Sequence, residues 1–405
     1  MKKNNGNTKR SIMAYVRELI RDYKKEHSQP VRVLYITLIT CLTILFTYLI
    51  VNGKFTGELF RSVADIDTPE LIDLYTISAN NSGLKRKSDI VLMPIDGCSR
   101  HDVTNIIERL NQMPVAAVGV DVTFPYPESE DSLLWHAILS SDRIVMASRE
   151  NGSYFEDAFI EQGIAFGSIR LDMNTRYDIV RSFVPAEING ADTIWSFEAQ
   201  LMRMCGQEID SAFPLHESSY IVYPRVQFDT IPALLLLDPL IDMESLADDL
   251  KGRIVILGDM ESVEDMYRTP LQSDMSGMVI HAYVLNTLLQ QRHIGSMPEY
   301  ISWIIAFVLC VIFSVLMLIY KWGGKDKEGL FLRITQFTLM VIVVIFGVLL
   351  FGYCDFYFDM EPIFLALAIQ AVVLDITVGI LAYIFKNNED KMVCRDTQCP
   401  HRVTD

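Results

Sequence analysis

The sequence predicts an extracytoplasmic α/β domain with a mainly parallel sheet flanked by helices, held by four α-helical transmembrane spans, one before the domain and three after it. Three observations predict this. Four apolar runs, 33–51, 301–320, 334–352 and 363–385, each have the ~20 residues that a helix rising 1.5 Å per residue needs to cross ~30 Å of hydrocarbon. In the long stretch 52–300, short apolar runs alternate with segments of helical spacing. Lys and Arg are also divided unevenly among the connecting segments.

The N-terminal segment 1–32 carries nine Lys and Arg against three acids. Within it, Ile12, Val16, Leu19, Ile20 and Tyr23 share one face of a helix over 11–27, which makes a basic amphipathic segment. The first apolar run begins beyond residue 30 and is followed by Val51-Asn52-Gly53-Lys54, which is not a small-residue cleavage site. It reads as a retained anchor. The loop 321–333 holds four bases against two acids, and the tail 386–405 holds Lys386, Lys391, Arg395 and Arg402. The loop 353–362 holds Asp355, Asp359 and Glu361 and no base. The positive-inside rule then places both termini and 321–333 in the cytoplasm, and 52–300 and 353–362 outside the inner membrane.

In the outer domain, 89–95 is an apolar strand ending at Asp96-Gly97, and Val103, Ile106, Ile107 and Leu110 give helical spacing over 101–112. A second strand follows at 115–122, a helix at 131–140 and a third strand at 143–147. The middle offers shorter strand candidates at 164–169, 179–184 and 220–223, with a helix at 195–204. The strong pattern returns with strand 253–257, stopping at Gly258-Asp259, and helix 278–291. Apolar runs this short, alternating with helices, indicate a sheet covered on both faces.

Half of the 405 residues are hydrophobic and the formal net charge is −16. The outer segment 52–300 has 18 Lys and Arg against 38 Asp and Glu, a formal charge of −20. That charge disfavours nucleic acid and anionic headgroups and suits cations, basic peptides or plain solubility. Cys98 and Cys205 are the two outer-domain cysteines, and the sequence leaves open whether they pair. Cys394, Cys399 and His401 match no zinc-binding spacing and read as free thiols and a lone His. The sequence has no P-loop, Gly-x-Ser-x-Gly, His-Glu-x-x-His or kinase signature. The reading is therefore non-catalytic, with no cofactor and no metal, and an Asp/His hydrolase is the weaker alternative.

Several segments together resemble the CHASE type-2 domain, a cyclase- and histidine-kinase-associated sensory extracellular module. They are Asp73-Leu74-Tyr75, Val91-Leu92-Met93-Pro94-Ile95-Asp96, and Ala117-Val118-Gly119-Val120-Asp121-Val122-Thr123-Phe124-Pro125. Gly163 to Ile169 and Asp178-Ile179-Val180-Arg181 follow the same pattern. The most specific stretch is Gly252-Arg253-Ile254-Val255-Ile256-Leu257-Gly258, then Asp265-Met266-Tyr267-Arg268-Thr269-Pro270-Leu271, then Ser276-Gly277-Met278-Val279-Ile280-His281-Ala282. The resemblance covers about 60–300, and the layout of one span before and three after also matches. It implies a sensor. Two departures stand out. Gly97-Cys98-Ser99-Arg100 replaces the family's Trp-Pro-Trp-like element, and about twenty residues follow the last span where family members carry a cytoplasmic enzyme. The expectation is therefore a separately encoded cytoplasmic or membrane effector.

Asp96, Asp121 and Asp259 each end a predicted parallel strand, at the sheet edge where open α/β sheets bind ligands. Arg268 and His281 follow and are candidates for the same edge. Two readings stand: a pocket for a small molecule, cation or peptide, or Asp residues that cap turns and helices. Asp375 is the single charge in the fourth run, about twelve residues past Ile363, an intramembrane polar residue near mid-membrane. A non-signalling scaffold that binds extracytoplasmic partners is the alternative to the sensor. A homodimer is suggested only by analogy with other anchored sensors.

Overall fold

The computed structural model describes residues 29–52, 76–77, 79–81, 85–124, 126–129, 131–149, 160–172, 179–189, 192–211, 213–223, 225–322, 326–370, 372–377 and 380. The expected basic helix over 11–27, the Asp73-Leu74-Tyr75 and Asp178 positions, and the Cys394, Cys399 and His401 group lie outside these residues. The chain divides into two compact units. The outer unit comprises Asp65–Gly295 with Phe351–Tyr357, and the other comprises the remaining segments.

In the outer unit, β1 (Arg86–Pro94), β2 (Ala117–Asp121), β3 (Ile144–Ser148), β4 (Ala165–Ser168), β5 (Val226–Thr230) and β6 (Ile254–Gly258) form one sheet in the order β4-β3-β2-β6-β1-β5. All five neighbouring pairs are parallel, as the apolar runs predict. The last of these strands along the chain, β6, is inserted between β1 and β2. Its register pairs Gly258 with Asp121 on one side and with Pro94 on the other, which brings the three strand ends level.

Side chains alternate along each strand and build two cores. Val91, Met93, Val118, Val120, Ile144, Met146, Val255 and Leu257 pack on one face with Ile106, Ile107 and Leu110 of a helix, Arg100–Asn111, and with Leu134 and Ile138 of a second, Asp131–Leu139. On the other face, Ile90, Leu92, Val145, Ile254 and Ile256 pack with the helix Phe197–Met204 and the helix Gly277–Leu289. Fully burying each such aliphatic side chain contributes about 1.5–3 kcal/mol. On this second face Gly167 allows a close approach: a Cβ there would lie 2.3 Å from the Phe197 Cα. The helix that carries Phe197 therefore rests directly on the strand backbone.

The start of the first of these helices is the segment where the chain departs from the resemblance. Gly97 adopts φ +74°, and Ser99 and Asp102 form a reciprocal cap, with the Asp102 N–H donating to the Ser99 hydroxyl and the Ser99 N–H donating to Asp102 at 2.9 Å. Arg100 then donates to Asp131 at 2.6 Å and to the Tyr126 carbonyl at 3.0 Å. The segment is a tight structural turn.

Two expectations for the middle of the domain are corrected. Strand candidates 179–184 and 220–223 shrink to an antiparallel pair outside the main sheet, Ser182–Phe183 with Ser219–Tyr220. A hairpin, Ala186–Asn189 with Asp192–Trp195, and the helix Met243–Leu250 were not predicted. The edge strand β5 was also missed, because its exposed face carries Gln227 and its partly buried Asp229 is paired with Lys87 and Arg253 at 2.8 Å each. Cys98 and Cys205 are free thiols packed against opposite faces of the sheet, so they do not pair.

Among the described residues, three helices are long and apolar enough to cross a membrane: Gln29–Asn52, Glu299–Trp322 and Asp326–Cys354. The expected fourth span is helical over 361–370 and 372–377, and most of its remainder lies outside the described residues. Polar side chains tie these helices together. Gln370 donates to the Cys310 carbonyl at 2.5 Å and to the Ser314 hydroxyl at 2.9 Å, and Ser314 lies 3.5 Å from the Thr40 hydroxyl. Asp375 accepts from Arg333 at 2.6 Å.

Candidate functional site

A cleft of about 820 Å³ opens in the outer unit beside the carboxyl ends of β3 and β4. Its wall includes Arg149, Arg170, Asp172, Glu187, Asp265, Tyr267 and His281. Open parallel sheets offer ligands this edge because strand ends and helix starts meet there.

The helix Gly277–Leu289 carries His281 into this wall, where only 3 % of the residue is exposed. The imidazole Nδ1 lies 2.6 Å from Oε1 of Glu198, itself 3 % exposed and in the first turn of the helix Phe197–Met204. The Phe197 ring meets the imidazole edge-on at 5.8 Å. Burial by itself would lower the His281 pKa. The charges of Asp121 and Glu198, the hydrogen bond to Glu198 and the charge of Asp265 outweigh it and raise the value to about 9. The ring is therefore an imidazolium at neutral pH.

Asp121 is the last residue of β2, and its carboxyl and this imidazolium influence each other electrostatically. Burial, then Asp265 and Glu198, raise its pKa to about 6, against the opposing pull of His281 and Arg149. Its carboxyl accepts no hydrogen bond among the described residues. Asp265 differs: it accepts from the Tyr267 hydroxyl at 3.2 Å and lies 4.0 Å from Arg149. Its carboxyl also sits against Gly277, where a Cβ would come within 2.5 Å. A negative group at that helix start is favoured by the exposed amides and the helix dipole.

The other predicted site residues behave differently. Asp96 accepts from the N–H groups of Met260 at 3.0 Å and Glu261 at 2.7 Å. Asp259 accepts from Glu261 and Ser262 at 2.9 Å each. The two carboxyls therefore fold the 259–262 loop, which is a capping role. They also interact with each other. Burial would raise Asp96, but the hydrogen bond from Asp259 and those from the loop hold it below its usual range. The same Asp96 contact, followed by burial, raises Asp259. The Arg268 side chain is exposed, and its carbonyl accepts from the Val180 N–H at 2.8 Å. It does not line the cleft.

The structure thus unites Asp121 and His281, pairs Asp96 with Asp259 nearby, and leaves Arg268 apart. Sequence reasoning missed Glu198, Asp265 and Arg149. Glu198 offered one signal, an acid inside the otherwise apolar helix start Trp195-Ser196-Phe197-Glu198-Ala199. Among the described residues, no group of three or more His, Cys, Asp or Glu side chains is placed to hold a metal ion.

The helix bearing His281 is anchored at its far end. The Val222 N–H donates to the Thr287 hydroxyl at 2.9 Å, and the Ser88 hydroxyl donates to Asn286 at 3.1 Å. Just beyond it, Arg292 forms an ion pair with Asp355, and the Gly295 N–H donates to the Asp355 carbonyl at 2.9 Å. Tyr357 meets Tyr220 edge-on at 5.7 Å. The segment 351–357 is thus part of the outer unit.

A family model described as the CHASE2 domain matches residues 37–319. No curated protein and no solved structure matches the chain.

Proposed function

The chain belongs to the CHASE2 domain family of extracytoplasmic sensory domains, and from that premise we propose that it is a multi-pass inner-membrane sensor that reads an outside signal at the His281 cleft and passes it to a separate effector protein. The carrying observation is the position of His281. It lies in the cleft wall on a helix that ends at Leu289, and the apolar helix beginning at Glu299 starts ten residues later. An event that moves this helix is passed by chain continuity to a span. Binding shifts the protein only as far as it favours one arrangement over another.

The distribution of Lys and Arg supports four spans with both termini in the cytoplasm. Segments 1–32 and 321–333 are short and basic, and these with the short tail 386–405 are suited to docking on a partner. The proposal assigns the chain no catalysis.

Crosslinking and mass spectrometry of the native membrane complex test the reading. A cytoplasmic or membrane-embedded signalling protein crosslinked to 1–32, 321–333 or 386–405 is the expected result. Crosslinks confined to extracytoplasmic proteins, unchanged by Asp121→Ala, would overturn it in favour of a scaffold.

A further inference from the structure

We infer that the cleft takes a small zwitterion of the amino-acid or short-peptide type, its carboxylate held by His281 and Arg149 and its ammonium group by Glu264. The inference rests on the sensor reading and names the chemical class of its input.

The imidazole of His281 is committed on one side only. Its Nδ1 lies 2.6 Å from Glu198, which fixes the ring in the cleft wall. The other ring nitrogen, Nε2, has no hydrogen-bond partner among the described residues and is not one of the atoms sealed from solvent. The residue is almost wholly buried yet lines the cleft, so Nε2 is presented to it. With the pKa raised to about 9, Nε2 carries a proton at neutral pH and donates. Arg149, just past the end of β3, brings a guanidinium to the same cleft. That side chain is 59 % exposed, donates no hydrogen bond among the described residues, and reaches Asp265 only at 4.0 Å. Elsewhere in the outer unit guanidiniums close tightly on carboxyls, Arg100 on Asp131 at 2.6 Å and Arg253 on Asp229 at 2.8 Å. Arg149 is therefore not used up by the fold. An imidazole N–H and a guanidinium lining one cleft suit a carboxylate.

The rest of the wall argues against a plain anion. Glu264 lines the cleft, and its carboxyl makes no hydrogen bond or ion pair among the described residues. Asp172 and Glu187 add further carboxyl groups. A simple anion would meet these acids, and a simple cation would meet Arg149 and His281. A molecule with both a carboxylate and an ammonium group finds a complementary partner for each. The wall also has apolar area for a side chain. Ile194 stands opposite Glu187 across the hairpin and shares its face, and Leu171 and Val184 line the cleft as well. The volume of about 820 Å³ lies within the range of small-molecule sites, about 300–1,000 Å³. It admits a single amino acid or a short peptide. No covalent step is involved.

The test is calorimetric titration of the full chain in lipid nanodiscs, at neutral pH, with the protein amino acids, dialanine and trialanine. At least one is expected to bind saturably. Its C-terminal amide, which lacks the carboxylate, and its N-acetyl derivative, which lacks the ammonium group, should each bind about tenfold more weakly or worse, because a charged partner is left unmet. Arg149→Gln should weaken the parent compound about tenfold and the amide far less, and Glu264→Gln should spare the N-acetyl derivative in the same way. Both side chains are exposed, so both variants should fold, and the derivatives test the inference without any variant. Tighter binding of dialanine or trialanine than of alanine assigns the peptide form, and the reverse order assigns the free amino acid. No saturable binding by any of these compounds overturns the inference. An N-acetyl derivative that binds as tightly as its parent also overturns it, in favour of a plain anion site. Binding without the effector crosslinks described above upholds the ligand class and refutes the sensor reading, whereas crosslinks without binding refute the ligand class alone.

Discussion

Asp121→Asn should make the outer domain more stable at neutral pH, and the amount can be worked from its surroundings. The folded environment moves the carboxyl from 3.8 to about 6, which corresponds to about 3 kcal/mol favouring the neutral form. The folded value lies above the unfolded one. Asp121 therefore costs nothing below pH 3.8, costs progressively more as pH rises toward 6, and costs its full amount above that. Asparagine is neutral at every pH and escapes this cost. The attraction that ionised Asp121 exerts on His281 is already included, because it is one of the influences that lower the Asp121 value. The assay is urea unfolding of full-length protein in nanodiscs at several pH values. The curves of wild type and variant should nearly coincide at about pH 4 and separate by up to about 3 kcal/mol at pH 7. A variant equally or less stable at pH 7 would refute the view that Asp121 is held against its charge.

Other outcomes follow from the same coordinates. Gly167→Ala would put a methyl group 2.3 Å from the Phe197 Cα, so it should lower the melting temperature and cost about 1–3 kcal/mol or more. Arg292→Asp or Asp355→Arg alone should increase proteolysis at 351–357, and the double exchange should restore protection if the ion pair is what holds the segment. Neutralising only one member of the Arg333–Asp375 pair should lower membrane-inserted yield more than replacing both by Leu, measured by quantitative blotting of the membrane fraction. Nonreducing mass spectrometry should find Cys98 and Cys205 both alkylatable without reductant.

What could be read from the sequence divides along physical lines. The central strands β1, β2, β3 and β6 are buried on both faces, so each appears as a continuous apolar run. The strand β5 lies at an edge and carries Gln227 and Asp229, which erases that signal. The placement of Asp121 at a strand's carboxyl end followed from the parallel pattern, and the structure puts it beside the cleft wall. The partnership of Glu198 with His281 could not be read locally, because 83 residues separate them and their meeting depends on two helices sharing one sheet face. Arg268 stood within the most specific motif, yet its backbone carries the contact and its side chain faces solvent.

The segment 351–357 has a consequence for how such domains can be borrowed. Although most of the outer unit lies between the first and second apolar helices, the unit is closed by residues more than fifty positions further along. A fragment cut at residue 300 would strip Arg292 of its carboxylate and Tyr220 of its aromatic neighbour. A clean transplant onto another membrane anchor must therefore carry two pieces of sequence, and a chimera built on the first piece alone would start from an incomplete unit.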